Sequence, residues 1–171
     1  MIILGIDPGS RKTGYGVINA VGSKLEYIDC GVIKLPDAEL PERLKIIAAD
    51  LGDVIARFTP QVASVEQVFL SNNANSALKL GQARGAAIVA AMQNNVPVSE
   101  YSAKQIKQAA VGSGGADKAQ VQYMVRLLLK LSFNPAEDAA DALAAAICHA
   151  HTQQSLIKIS GANKVARRRL S

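Results

Sequence analysis

The chain has 171 residues, 49% of them apolar, with two cysteines and a formal net charge of +5. That composition suits a single globular domain whose core needs no disulfide, and it excludes a disordered tail or a cysteine-stapled miniprotein. No apolar run approaches the roughly 20 residues that span a bilayer, and the opening MIILGIDPGS has neither the basic start nor the small-residue cleavage site of a signal peptide.

MIILGID reads as a buried strand closed by a Pro-Gly-Ser turn. TGYGVINAV and KLEYIDCGVIKL follow as strands rich in Val, Ile and Tyr, with VGSK between them as a hairpin turn. After the loop LPDAELP, residues 41–58 place Leu44, Ile47, Ala48, Leu51, Val54, Ile55 and Phe58 at helical spacing. Pro41 suits the first turn of that helix, and Pro60 stops it before the strand VASVEQVFL. SNNANS is a polar entry to the helix ALKLGQARGAAIVAAMQNN, whose small residues permit close packing. A short strand (VPVSEY), a helix (SAKQIKQAAV), a flexible loop (GSGGAD) and a second helix (KAQVQYMVRLLLKL) come next. The last helix is expected to open at Asn134 as cap with Pro135 in first position, and to run through DAADALAAAICHAH. His149 and His151 are expected to finish it. Three strands followed by alternating helix and strand predict an α/β fold, a mixed sheet with helices on its faces.

Where the charge sits matters more than its size. Residues 155–171 carry Lys158, Lys164, Arg167, Arg168 and Arg169 with no acid, and account for the whole excess. Within the balanced remainder, residues 67–136 hold seven basic groups, Lys107 and Lys118 among them, against only Glu100 and Asp117. A basic middle beside acidic segments suits a phosphate-binding surface next to a metal site, although a solvated helix face has the same signature.

Four acids lie in segments that otherwise read as core: Asp7 ends the first apolar run, Glu66 interrupts another, and Asp138 and Asp141 sit three apart on the Ala-rich helix. Each has an ordinary explanation when taken alone. Asp7 could begin a turn, Glu66 could face solvent from a half-exposed strand, and Asp138 could complement a helix N-terminus. Asp141 resists such a reading, because it shares a helix face with Asp138 and is surrounded by Ala139, Ala140, Ala142 and Leu143. Buried charges need partners, and no basic residue lies in these segments. A divalent cation would supply the countercharge for all four, and oxygen-only ligands favour Mg²⁺, with Mn²⁺ as a substitute, over Zn²⁺. His149 stands eight residues from Asp141, a rise of ~12 Å, too far to share that ion.

Five blocks in order carry a family resemblance: GIDPGSRKTGYGVI, EQVF, NSALKLGQARGAAIVAA, KQIKQAAVGSGGADKAQVQ and NPAEDAADALAAAICHAH. Together, over about residues 2–152, they resemble the RuvC family of bacterial Holliday-junction endonucleases within the ribonuclease H-like superfamily. The resemblance implies a five-stranded mixed sheet, antiparallel across its first three strands, with helices on both faces. The chain is expected to divide into a nuclease domain over 1–155 and a basic, mobile tail over 156–171 that the resemblance matches poorly. The resemblance also implies a homodimer acting on four-way DNA junctions by paired nicks in strands of like polarity, alongside RuvA and RuvB, in the cytoplasm with the nucleoid. The family's metal ligands match Asp7, Glu66, Asp138 and Asp141. Lys107 and Lys118 match residues that handle DNA, and Phe69 an aromatic that stacks on an unpaired base.

Chemistry supports such an assignment. A pair of cations ~3.5–4 Å apart can activate a water and stabilise the leaving 3′ oxygen; Asp7 is expected to bridge them, with Glu66 on one ion and Asp138 and Asp141 on the other. No Ser, Cys or Tyr stands in the motif set as a nucleophile, so direct attack by water is expected. A ribonuclease H acting on RNA/DNA hybrids, an actin-like ATPase using the DPGSRKTG turn, and a non-catalytic junction-binding module are the alternatives.

Overall fold

The computed structural model describes residues 1–67 and 73–168. Five strands form one sheet in the order β3-β2-β1-β4-β5: β1 Ile2–Asp7, β2 Lys12–Val21, β3 Lys24–Lys34, β4 Val62–Glu66 and β5 Val98–Tyr101. The first three strands are antiparallel, joined by a hairpin at Gly22, whose φ of 58° suits a residue without a Cβ. β4 and β5 run parallel to β1. The helices are α1 Leu40–Phe58, α2 Ala74–Gln93, α3 Ala103–Val111, α4 Lys118–Leu128 and α5 Glu137–Arg168. This is the mixed, ribonuclease H-like sheet that the sequence predicts.

Side-chain alternation sorts the strands into two cores. Leu4, Ile6, Val17 and Val65 point to one face and are covered by α1 and α2 through Ile47, Leu51, Ala83 and Ala87. Ile3 and Ile18 point to the other, which meets Ile106, Val121, Leu143 and Ile147 of α3, α4 and α5. No helix among the described residues is long and apolar enough to cross a membrane.

Most helix boundaries follow local chemistry. Pro41 lies in the first turn of α1, and Thr59 ends that helix in the left-handed region at φ 46°. Ser102 with Gln105 and Asp117 with Gln120 close capping boxes on α3 and α4. α5 differs from expectation at both ends. It starts at Glu137, with the Ala136 carbonyl accepting its first hydrogen bond. Asn134 does not cap it: its Oδ1 accepts a hydrogen bond from Arg126 at 3.2 Å, and the Pro135 carbonyl accepts one from Gln122 at 2.6 Å. Nor does α5 finish at His151. It continues to Arg168, because no proline follows Pro135 and the added residues are mostly tolerant of helix. Gln154 Nε2 ties the extension to the hairpin, donating to the Gly22 carbonyl at 2.6 Å.

Candidate active site

The register of the sheet brings two of the acids together. β1 and β4 pair Ile6 with Val65, so the next residues, Asp7 and Glu66, leave adjacent parallel strands side by side at their carboxyl ends. Such ends are where open α/β sheets place their ligands. Across the antiparallel ladder Asp7 pairs with Gly14, and Gly5 with Gly16. These four residues form a square on the sheet face that α5 covers.

The three glycines let α5 reach that square. A Cβ on Gly14 would stand 2.0 Å from the Asp138 carbonyl oxygen, one on Gly5 1.8 Å from the Ala142 carbonyl oxygen, and one on Gly16 2.7 Å from Leu143. Helix backbone therefore lies directly on strand backbone, and the turn carrying Asp138 and Asp141 is laid over Asp7. Sequence reasoning missed this role. The only signal was the alternation in TGYG, which a propensity reading treats as a weakness in a strand.

Asp7, Glu66 and Asp141 line one open cleft of about 250 Å³ with Lys107 and Lys118, against Ala103, Ile106 and Val121. Asp138 is half-buried beside that lining and repels both Asp7 and Asp141. Burial foremost, then repulsion by Glu66, Asp141 and Asp138, pushes the Asp7 carboxyl up to about 8, with Lys118 pulling the other way. Glu66 is also raised, by burial and then by Asp141, against Lys107 and Lys118. Asp141 is raised by burial despite both lysines. No ion pair among the described residues neutralises any of the four acids.

The acids share a cleft without closing into a cage. Among the described residues no group of three or more carboxylate, imidazole or thiol side chains stands ready-made to hold a metal ion. Like charges repel, and Mg²⁺ commonly takes only one or two carboxylates, completing its shell with water and substrate phosphate oxygens. The donor set, all oxygen and unpaired, fits such an ion.

The remaining candidates sort cleanly. Lys107, on α3, and Lys118, at the start of α4, face the acids across the cleft, and Lys118 also pairs with Glu137. That contact, ahead of the nearby acids, raises the Lys118 ammonium above its ordinary value. Phe69 lies outside the described residues. His149 and His151 stay out of the cleft: His149 is buried against Tyr101, and His151 Nδ1 meets the Ala109 carbonyl at 3.1 Å.

Comparison with known proteins places the sequence and the fold in a family. The family model for the crossover junction endodeoxyribonuclease RuvC matches residues 3–149. The protein of that name from Teredinibacter turnerae is 58% identical over 173 residues, 98% of this chain and 98% of the relative. That from Photobacterium profundum is 60% identical over 167 residues, covering 98% and 96%. Among solved structures, Thermus thermophilus RuvC in complex with Holliday junction substrate superposes with a TM-score of 0.85 at 39% identity, over 91% of this chain and 96% of that one. The yeast mitochondrial Holliday junction resolvase Ydc2, at 14% identity and a TM-score of 0.61 over 90% and 81%, shares the fold. Matched over nearly its whole length, the chain belongs to the RuvC family of crossover junction endodeoxyribonucleases.

Proposed function

We propose that this chain resolves four-way DNA junctions, as a homodimer, by metal-dependent nicks in two strands of like polarity. The observation that carries the reading is the cleft in which Asp7, Glu66 and Asp141 face Lys107 and Lys118. Opposed acids and lysines are what a phosphodiester and its countercharges need: cation ligands on one wall, phosphate contacts on the other.

Asp7, Glu66, Asp138 and Asp141 would hold the divalent ions, Mg²⁺ by choice of ligand chemistry and two per site by analogy with other nucleases. Bound there, such ions supply an activated water and a countercharge for the departing 3′ oxygen. The protein's own side chains do the rest. Lys107 and Lys118 seat the scissile strand by its phosphates, and the short reach from β1 to β4 fixes the two strand acids on a rigid frame. Among the described residues the cleft lining holds no hydroxyl or thiol nucleophile. This favours in-line attack by water, leaving 5′-phosphate and 3′-hydroxyl ends.

One such cleft cuts one strand. A two-fold dimer offers two clefts to a substrate with the same symmetry, which supports the homodimer. Phe69 stacking on an unpaired base at the crossover, cooperation with RuvA and RuvB, and residence with the nucleoid in the cytoplasm complete the proposal. The deciding experiment is Mg²⁺-dependent nicking of a synthetic junction compared with linear duplex of the same sequence. Junction-selective nicking by the wild type, lost in Asp7→Asn while junction binding survives, is expected; cutting retained by Asp7→Asn removes it from the site.

A further inference from the structure

We propose that Tyr101 and His149 form a buried brace that positions Glu66 against Asp141. The proposal rests on the nuclease reading of the cleft. Tyr101 is the register partner of Glu66 across the β4–β5 ladder, and its carbonyl accepts from the Gln67 amide at 2.8 Å. The ends of β4 and β5 therefore move together. On the face covered by α5, the Tyr101 hydroxyl and His149 Nδ1 share a hydrogen bond of 2.9 Å, with the rings edge to face at 5.9 Å. Tyr101 is 8% exposed and His149 2%.

Along α5, Asp141, Ala145 and His149 recur every fourth residue and share one stripe. The strand side answers each of them. Glu66 lies near Asp141, Ser64 donates through Oγ to the Ala145 carbonyl at 2.7 Å, and Tyr101 meets His149. Ser64 and Glu66 lie on the same face of β4, two residues apart.

Apolar contact alone sets this placement poorly. Around the stripe α5 presents Ala142, Ala144, Ala145 and Ala146 beside the larger Leu143 and Ile147, so only two bulky side chains resist a slide along the sheet. A polar pair behaves differently, because either member left unpaired in the core keeps its desolvation penalty with no hydrogen bond to offset it. The hydroxyl meets the imidazole, with Thr152 beside them on α5, in this helix position. That position sets the distance from Glu66 to Asp141.

The test uses the full chain and four measurements: melting without metal, junction affinity, Mn²⁺ affinity, and single-turnover cleavage of a synthetic junction. Tyr101→Phe is expected to slow cleavage by about tenfold to a hundredfold, the scale of a misplaced reacting group, and to weaken Mn²⁺ binding by about tenfold. Junction affinity is expected to hold. Tyr101→Phe with His149→Leu removes both polar members, so it should recover thermal stability and keep the cleavage and Mn²⁺ defects. His149→Asn, whose amide can meet the hydroxyl, should restore most of what His149→Leu loses. A double variant that cuts and binds Mn²⁺ like wild type, or equal losses in His149→Asn and His149→Leu, overturns the brace. Glu66→Gln cutting at the wild-type rate would instead refute the nuclease reading of the cleft, and the brace with it.

Discussion

Without metal, Asp7 should make the protein less stable as pH rises, and Asp7→Asn should reverse that loss. The folded carboxyl titrates at about 8 against an ordinary 3.8, so between those values the folded state holds a proton that the unfolded chain has released. Stability from this group is complete below about pH 4 and is lost as pH climbs through about 8. At about 1.4 kcal/mol per tenfold in proton affinity, the upper limit of the loss is about 6 kcal/mol. Roughly half, about 3 kcal/mol, should be recovered by the amide, which remains buried and polar. For a chain of this length that is a gain of about 6–12 °C in melting temperature. Circular dichroism melts of both proteins in chelator, from about pH 5 to about pH 8, check it. Taking the difference between variants cancels titrating groups remote from the cleft and leaves Asp7 with the acids coupled to it, Glu66, Asp138 and Asp141. The gain should grow steadily with pH, and added Mg²⁺ should stabilise the wild type far more than Asp7→Asn. A gain that does not vary with pH, or none at pH 8, would refute the argument that crowded, buried charge shapes this cleft.

Three further outcomes are expected, the first two from the geometry of the cleft and the third from the family resemblance. Lys107→Ala and Lys118→Ala should each weaken junction binding and reduce its salt slope by about one, read from affinity against salt concentration; an unchanged slope removes that lysine from the phosphate path. For Lys118 the partner Glu137 is no obstacle, because both side chains are exposed and such a pair is worth at most ~1 kcal/mol. Gly14→Ala forces a Cβ onto the Asp138 carbonyl, so α5 must lift; a stability loss of ~1–3 kcal/mol with a larger loss of cleavage is expected, measured by denaturant unfolding and nicking. Phe69→Leu should fold normally and impair junction cleavage, with normal cutting pointing to a packing role.

How much of this was legible in the sequence depended on range. Caps and stops act within a few residues, so Pro41 and Pro60 could be read locally; the Ser102–Gln105 and Asp117–Gln120 boxes are signals of the same short range that the sequence reading missed. Asn134 and Pro135 misled for the same reason. They carry a good local helix signal, but Arg126 and Gln122 of the preceding helix claim their polar groups, and the cap moves to Ala136. The extension of α5 past His151 was hidden by composition, because a basic tail with serines and Gly161 reads as solvated chain even when it holds no proline.

The acids were visible because charge in an apolar run is anomalous wherever it occurs. What gathers them was not visible, because it consists of missing atoms. Gly5, Gly14 and Gly16 act by what they lack, and their effect appears only when the ladder puts Gly14 opposite Asp7 and Gly5 opposite Gly16. The two kinds of residue answer one physical problem. Bringing Asp138 and Asp141 over Asp7 requires backbone contact that any side chain would block, and the repulsion so created must be borne by a frame that cannot relax. The sheet supplies that frame: β1 lies at its centre, hydrogen-bonded on both edges, and its apolar residues Ile3, Leu4 and Ile6 are fully buried. Placing Asp7 at the end of the strand least able to move lets the cleft hold charges that a loop would let drift apart.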